Sequence, residues 1–387
     1  MYTNCILKKM LLITAAAAAS FCMGVPVMAA AAGVEVNEKN FPDVALREKA
    51  AAFDENQDGK LSSDELEKVE SLKIRKFLDP DDTEEETNYQ KSDFTFDFKG
   101  IEYFTSLKEL EINLSGGLVS DGGAGKHYES VITNFSKVYK LQELTSFSFH
   151  SAKLEKIDLS KLSGLEKADL SIKGLRTLTI NNKNLRSLRF WDSTSKIKIM
   201  DFRKAPNLKM LYLDNLQSPN VLFGKKNKKI KQLHITGNGK TKIKKMSIVP
   251  LKALKKLTLT TVNIPSIDFS QSTALEDIYV DNCAMRKLDL SQNKKLTWVA
   301  CEGKKTKSII IPKKNIISTF KWVNANLSKF SNSRLNPETL TSVILFGNKL
   351  KSIDLKRYNK LDYVSVDKKV KVKLASALAE KQIVSYN

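Results

Sequence analysis

Residues 54–65 read Asp-Glu-Asn-Gln-Asp-Gly-Lys-Leu-Ser-Ser-Asp-Glu, with oxygen-bearing side chains at alternate places and a glycine at the centre. A hard cation such as Ca2+ takes about six to eight oxygen ligands, so one segment can hold it only by folding back sharply on itself. Asp54, Asn56 and Asp58 would supply three groups, the carbonyl of Lys60 a fourth, and Ser62 a fifth, often through water. Glu65 would then close the site with both carboxylate oxygens. Gly59 permits the turn, and Leu61 is placed to pin the loop to its flanking helices. We expect Ca2+ to bind here with modest affinity and a structural role.

Nothing else in the chain is arranged for chemistry. His127, His150 and His234 are far apart and lack metal-ligand spacing, and no nucleophile motif is present, so no enzymatic activity is expected. Gly125-Lys126-His127 is not a phosphate loop, because Ser120 stands where the first Gly is needed and His127 where Ser or Thr would hold magnesium. Cys283 and Cys301 suit buried apolar positions; a disulfide between them is the alternative, which spacing alone does not decide.

The elements that must position the loop can be read on either side of it. Asn40-Phe41-Pro42-Asp43 places Pro in the first turn of a helix running to about Phe53, with Phe41, Val44, Ala50 and Phe53 toward a small core. Ser62 and Glu65 form a capping-box pair for an exit helix carrying Leu66, Val69 and Leu72. The loop resembles an EF-hand. Only one is visible, so it is closer to the single-loop calcium segments of exported bacterial proteins than to a cytosolic sensor.

Beyond it the chain repeats one phrase: a large apolar residue, two arbitrary ones, another apolar, one arbitrary, a third apolar. Leu208 to Leu213, Leu254 to Leu259 and Leu275 to Val280 show it, and every second start is twenty to twenty-four residues apart. One coil therefore spans two phrases, within the roughly 20–29 residues of a leucine-rich repeat. In one phase the residue between the second and third apolar positions is often Asp (Asp158, Asp201, Asp268, Asp289, Asp354), which we read as a structural turn ladder. In the other phase that place and its neighbour carry Tyr212, His234, Lys256, Tyr279, Trp298, Lys321 and Tyr363, which should point to solvent as a ligand-binding face. Which phase lines the broad face stays open.

The array resembles the secreted and cell-surface leucine-rich-repeat proteins of bacteria, broadly internalin-like. That resemblance implies an α/β or mainly β solenoid of short parallel strands, used as a recognition scaffold. We divide the chain into a signal peptide (1–32), a helical EF-hand-like cap (33–78), an acidic linker (79–97), the array (98–372, with a Gly-rich insertion at 115–137) and a C-terminal cap (373–387) with a short helix over residues 374–382. The signal rests on Lys8 and Lys9, the apolar stretch 10–27 and the small residues 29–32, with a retained anchor as the alternative. No later stretch is long and apolar enough to span a bilayer, so the mature protein is expected to be secreted, with association at the cell surface as the further expectation.

Charge is divided between the parts. Residues 34–90 carry eight Lys and Arg against seventeen Asp and Glu, whereas residues 91–387 carry fifty-four against twenty-six. A basic elongated surface attracts polyanions through steering that salt weakens. The expected partners are an extracellular protein or an anionic glycan, with cell-wall polyanions a further candidate and no specific nucleic acid. Two functions fit: a recognition or adhesion module with a structural calcium site, or a charge-held envelope component without a discriminating site.

Overall fold

A strand that turns every second residue inward needs an apolar partner at each inward place, and the phrase supplies it coil after coil. The computed structural model describes residues 33–76, 95–114, 130–191, 194–378 and 380–387. The expected signal peptide, residues 79–94 of the linker, and residues 115–129 of the insertion, His127 included, lie outside the described residues. In the rest, the chain winds as a parallel β-solenoid. Its main sheet has sixteen strands, fourteen of them in one unbroken row from Ser71–Arg75 to Val384–Tyr386. Adjacent strands of the row are parallel and in register, so Leu211, Leu233, Leu257, Ile278 and Val299 stack as one buried ladder. Leu213, Ile235, Leu259, Val280 and Cys301 form a second.

The phase that carries the aromatic and polar column builds this long sheet. The other phase builds short two- and three-stranded sheets, such as Lys287–Asp289 with Ser308–Ile310. There the Asp ladder does what its residue type suggested. Asp158, Asp201, Asp268, Asp289 and Asp354 each accept the backbone N–H two residues on, at 2.8–3.2 Å. A second ladder has no counterpart in the sequence reading. Buried Asn182, Asn227 and Asn293 each donate from Nδ2 to two carbonyls of the preceding coil, at 2.7–3.1 Å. These amides satisfy backbone oxygens that the turn leaves without a strand partner. Where the chain leaves the long sheet it turns through left-handed residues: Asn215, Thr261, Asn282 and Asn324 lie at φ of 48–54°, and Gly303 and Gly347 occupy the same place at 100° and 70°. A Cβ at Gly347 would run into the Asn324 side chain, so the left-handed turn there favours glycine.

The amino-terminal end is closed by the helical segment that carries the loop at residues 54–65. Helix α1 spans Val44–Ala51 and is capped by Asp43, which accepts Leu46 N–H at 3.1 Å; Pro42 therefore precedes the helix instead of sitting in its first turn. Leu46 is fully buried and Val44 is 54% exposed, the reverse of the expectation for Val44, because the face toward the solenoid is set by Phe41, Leu46 and Ala50. Helix α2 (Ser63–Lys68) begins with the expected capping box between Ser62 and Glu65. It stops before Leu72, which is an inward residue of the first long-sheet strand. Phe41 and Phe53 pack on Phe104 and Tyr103 at 5.7–6.1 Å, and Lys76 bonds Asp43 at 2.8 Å, fastening this segment to the first coil. Next to it Phe96, Phe98, Phe135 and Phe149 pack ring to ring at 4.8–5.6 Å. The last part of the expected insertion thus contributes core, with Ser130–Thr133 a strand paired to Thr95–Asp97.

At the other end Lys371–Leu374 pairs with Ser352–Leu355, and Val384–Tyr386 adds the final strand of the long sheet. The helix expected over 374–382 is only a single 3-10 turn, Ser376–Leu378, because residues on both sides extend the coil. Cys283 and Cys301 are free and buried, and burial pushes their thiols up to about 12 and about 11.

The amide ladder makes a measurable contribution. Asn227→Ala leaves the carbonyls of Phe202 and Ala205 and the N–H of Gly224 without their partner, and should cost about 1–3 kcal/mol. Asn181→Ala, at an exposed position, should shift the urea denaturation midpoint much less.

Candidate functional site

The open face of the long sheet is the larger of two candidate sites. Parallel sheets are ordinarily covered on both faces; here one face carries side chains outward in columns set by register. Tyr212, His234, Tyr279 and Lys321 share one column with Thr258 and Ala300, and Lys256, Trp298 and Tyr363 share the next. All seven expected ligand-face residues therefore lie on a single face.

The structure also brings in residues that the sequence reading passed over. Upstream, the Arg189 guanidinium lies 5.2 Å from the Tyr212 ring, Tyr212 and His234 are 5.8 Å apart, and Tyr212 Oη donates to Gln232 Oε1 at 2.8 Å. His234 Nε2 stands 3.3 Å from Asp214. Trp191 and Met210, 55% and 37% exposed, flank this group. Downstream, Tyr279 and Trp298 are 6.0 Å apart, and Lys321 lies 5.8 Å from the Tyr279 ring and 3.4 Å from Glu302. Lys256 pairs with Asp277 at 3.1 Å. Asp281 and Glu302 face each other across neighbouring strands. Burial, and then the charge of Glu302, holds the Asp281 carboxyl above the usual range. Burial, with help from both carboxylates, pushes the Tyr279 phenol up to about 12. Arg189 occupies the outward place of Tyr212 one coil earlier, and Trp191, Asp281 and Glu302 occupy the next outward place along the strand. Extending the column by one coil and one place would have found them.

The face is not a basic strip. Lys73, Arg75, Lys167, Arg189, Lys256 and Lys321 alternate there with Glu109, Glu111, Asp169, Asp214, Asp277, Asp281 and Glu302. The positive surplus lies on turns away from it, for example at exposed Lys225, Lys226 and Lys228 and at Lys304, Lys305 and Lys307.

The second candidate is the loop at residues 54–65. Gln57 and Gly59 take left-handed φ of 58° and 79°, which folds the loop back on itself. Asp54 accepts the N–H of Asp58 and Gly59 at 3.2 and 2.8 Å, Asn56 accepts Asp58 N–H at 3.0 Å, and Asp58 accepts Lys60 N–H at 2.9 Å. The Glu65 carboxylate spans the loop, accepting Glu55 N–H at 2.8 Å and Ser62 N–H and Oγ–H at 2.8 and 2.7 Å; the Ser62 bonds hold its pKa below the ordinary value. Lys60–Leu61 pairs antiparallel with Val34–Glu35. Among the described residues, no three His, Cys, Asp or Glu side chains stand close enough together to hold a metal. Half of the donors expected here are of other kinds, namely Asn56, Ser62 and the Lys60 carbonyl. The expected donors are all oxygen, the donor type that a hard cation takes.

No protein-family model matches the chain, and no curated protein does. Solved structures do. An internalin, inlF, of Listeria monocytogenes matches with a TM-score of 0.58 at 18% identity, over 92% of this chain and 97% of that one. The functional domain of InlJ from Listeria monocytogenes, which includes a cysteine ladder, matches with a TM-score of 0.51 at 20% identity, over 88% and 76%. TLR13, in a complex with ssRNA13, matches with a TM-score of 0.51 at 14% identity, over 84% of this chain and 52% of that one. At such identities the likeness is one of fold, and the fold is the leucine-rich-repeat solenoid. No helix among the described residues is long and apolar enough to cross a membrane.

Two titrations test the electrostatics of the face. Glu302→Gln removes one of the charges that raise Tyr279, so its phenolate should form at lower pH in an ultraviolet titration. At the next site upstream, the Asp169 hydrogen bond raises His150 above its ordinary 6.5. Its stabilisation is then complete below about pH 6.5 and fades as pH rises through the raised value. Asp169→Asn should bring the His150 proton titration down in an NMR experiment.

Proposed function

We propose that this protein is an exported recognition module whose open sheet face binds a protein outside the cell. The observation that carries this reading is the outward cluster of Tyr279, Trp298, Lys321, Asp281 and Glu302, in which rings and charges are held by one another on a rigid sheet. Aromatic anchors on a pre-organised surface lose little entropy on binding, and a face of alternating, mutually paired charge suits a protein surface better than a uniform polyanion. Export is supported by the signal-like residues 1–32 and by the likeness of the fold to internalins.

The loop at residues 54–65 is, on this proposal, a structural Ca2+ site that stiffens the amino-terminal cap. Asp54, Asn56, Asp58, the Lys60 carbonyl, Ser62 and Glu65 would hold the ion, which would offset the repulsion among the three carboxylates. The packing of Phe41 and Phe53 on the first coil would pass that stiffening to the array.

Binding of the chain to a protein-coated surface and to purified cell walls, each at low and high salt, tests the first part. Retention on the protein surface at high salt, reduced about tenfold by Trp298→Ala or Tyr279→Ala at an unchanged denaturation midpoint, is the expected result. Binding that vanishes with salt and ignores both substitutions would favour the charge-held envelope component instead. For the loop, calcium at about a hundred times its dissociation constant should stabilise the protein by about 2.7 kcal/mol, and Asp54→Ala should abolish the shift. An unchanged melting temperature at millimolar calcium would refute the metal site.

A further inference from the structure

The two carboxy-terminal turns carry a feature that the sheet-face reading does not use. A groove of about 750 Å3 lies between residues 348–352 of one coil and 367–371 of the next. Lys349, Lys351, Lys368, Lys369 and Lys371 line it, and all five are exposed. Asp367 is the one side-chain carboxylate among its lining residues, and both its oxygens are engaged, accepting the N–H of Gly347 at 2.9 Å and of Asn348 at 3.0 Å; the main-chain carboxyl of Asn387 also lines the groove and accepts the Lys368 N–H at 3.2 Å. The Asn348 and Asn387 amides are also turned to partners elsewhere, on Trp322 and Leu345 carbonyls and on Ser365 Oγ.

On the sheet face, Lys256 and Lys321 each meet a carboxylate, as does Lys287 on a short strand. Among the described residues no such ion pair involves the five groove lysines. Like charges gathered at one concave place repel one another and focus a positive potential into it. The two turns are neighbours in the stack, with Lys371 N–H donating to the Lys351 carbonyl at 3.0 Å and Lys371 in register with Ser352. Adjacent strands are about 4.8 Å apart, so ammonium groups from both coils can reach a single oxyanion lying between them. Lysine binds as a flexible point charge without the geometric fork of arginine, which suits a run of charged groups more than one shaped ligand.

We infer that this groove binds an anionic polymer bearing closely spaced phosphate or sulfate groups. It acts independently of the sheet face, since none of the ligand-face residues lines it. Phosphate and sulfate polymers share this chemistry, and the probes separate them.

The full chain is titrated by calorimetry with inorganic polyphosphate and with a heparin fragment over a range of salt. Three proteins are compared: the natural chain, the groove triple Lys349→Ala/Lys351→Ala/Lys369→Ala, and a charge-matched control, Lys225→Ala/Lys226→Ala/Lys228→Ala. The groove triple should weaken binding of at least one probe about tenfold or more and flatten its salt dependence, while the control changes it less than about twofold. Trp298→Ala should leave it unchanged. Preference for one probe identifies the polymer class. Equal loss in the two triples would replace the groove with diffuse surface charge, and failure of both probes to bind the natural chain would overturn the site.

Discussion

A single coil of this protein cannot bury its own apolar residues. Leu257 and Leu259 are covered only because Leu233 and Ile235 stand on one side and Ile278 and Val280 on the other. Every coil imposes the same need on its neighbour, so the ladder must continue until something different closes it. At the amino-terminal end that closure is the helical segment around residues 54–65, with Phe41 and Phe53 against Phe104 and the first long-sheet strand following helix α2. At the carboxy-terminal end the coil repeats into Val384–Tyr386. The polar ladders follow from the same constraint: stacking brings backbone carbonyls of adjacent turns close together, and Asn182, Asn227 and Asn293 satisfy them where strands do not.

This scaffold separates the residues that hold the stack together from those that face outward. The inward residues of the long sheet are apolar at almost every coil, whereas the outward ones change from Arg189 to Tyr212, His234, Thr258, Tyr279, Ala300 and Lys321 without altering the backbone register. Outward side chains are free to differ because they touch each other and solvent, not the core. The two clusters around Tyr212 and Tyr279 owe their geometry to the roughly 4.8 Å spacing of strands, which places rings and charges of successive coils within contact distance.

The phrase of three apolar residues was enough to identify the solenoid, the inward ladders, the turn role of Asp158 and its equivalents, and the outward position of the seven face residues. Spacing is a one-dimensional signal, and it carried what depends on period. What depends on the juxtaposition of coils was not legible. Both phases have the same apolar period, so only the structure distinguishes the long sheet from the short ones. The role of Asn227 arises from Phe202 and Ala205 in the preceding coil, and a lone Asn between lysines gives no sign of it. Val34 pairs with Leu61 because the loop needs a strand partner, whereas the sequence reading looked to helices to pin Leu61. Val44 faces solvent, and not the core as expected, because the helix begins after Pro42 and Asp43 and turns Leu46 inward.

Cys283 and Cys301 sit in adjoining coils near the middle of the array, protonated, shielded and unbonded. A thiol in that state reacts with an alkylating reagent only when its own coil parts from a neighbour. These two side chains are therefore natural clocks for breathing in the centre of the stack, and fraying at either cap would pass them by.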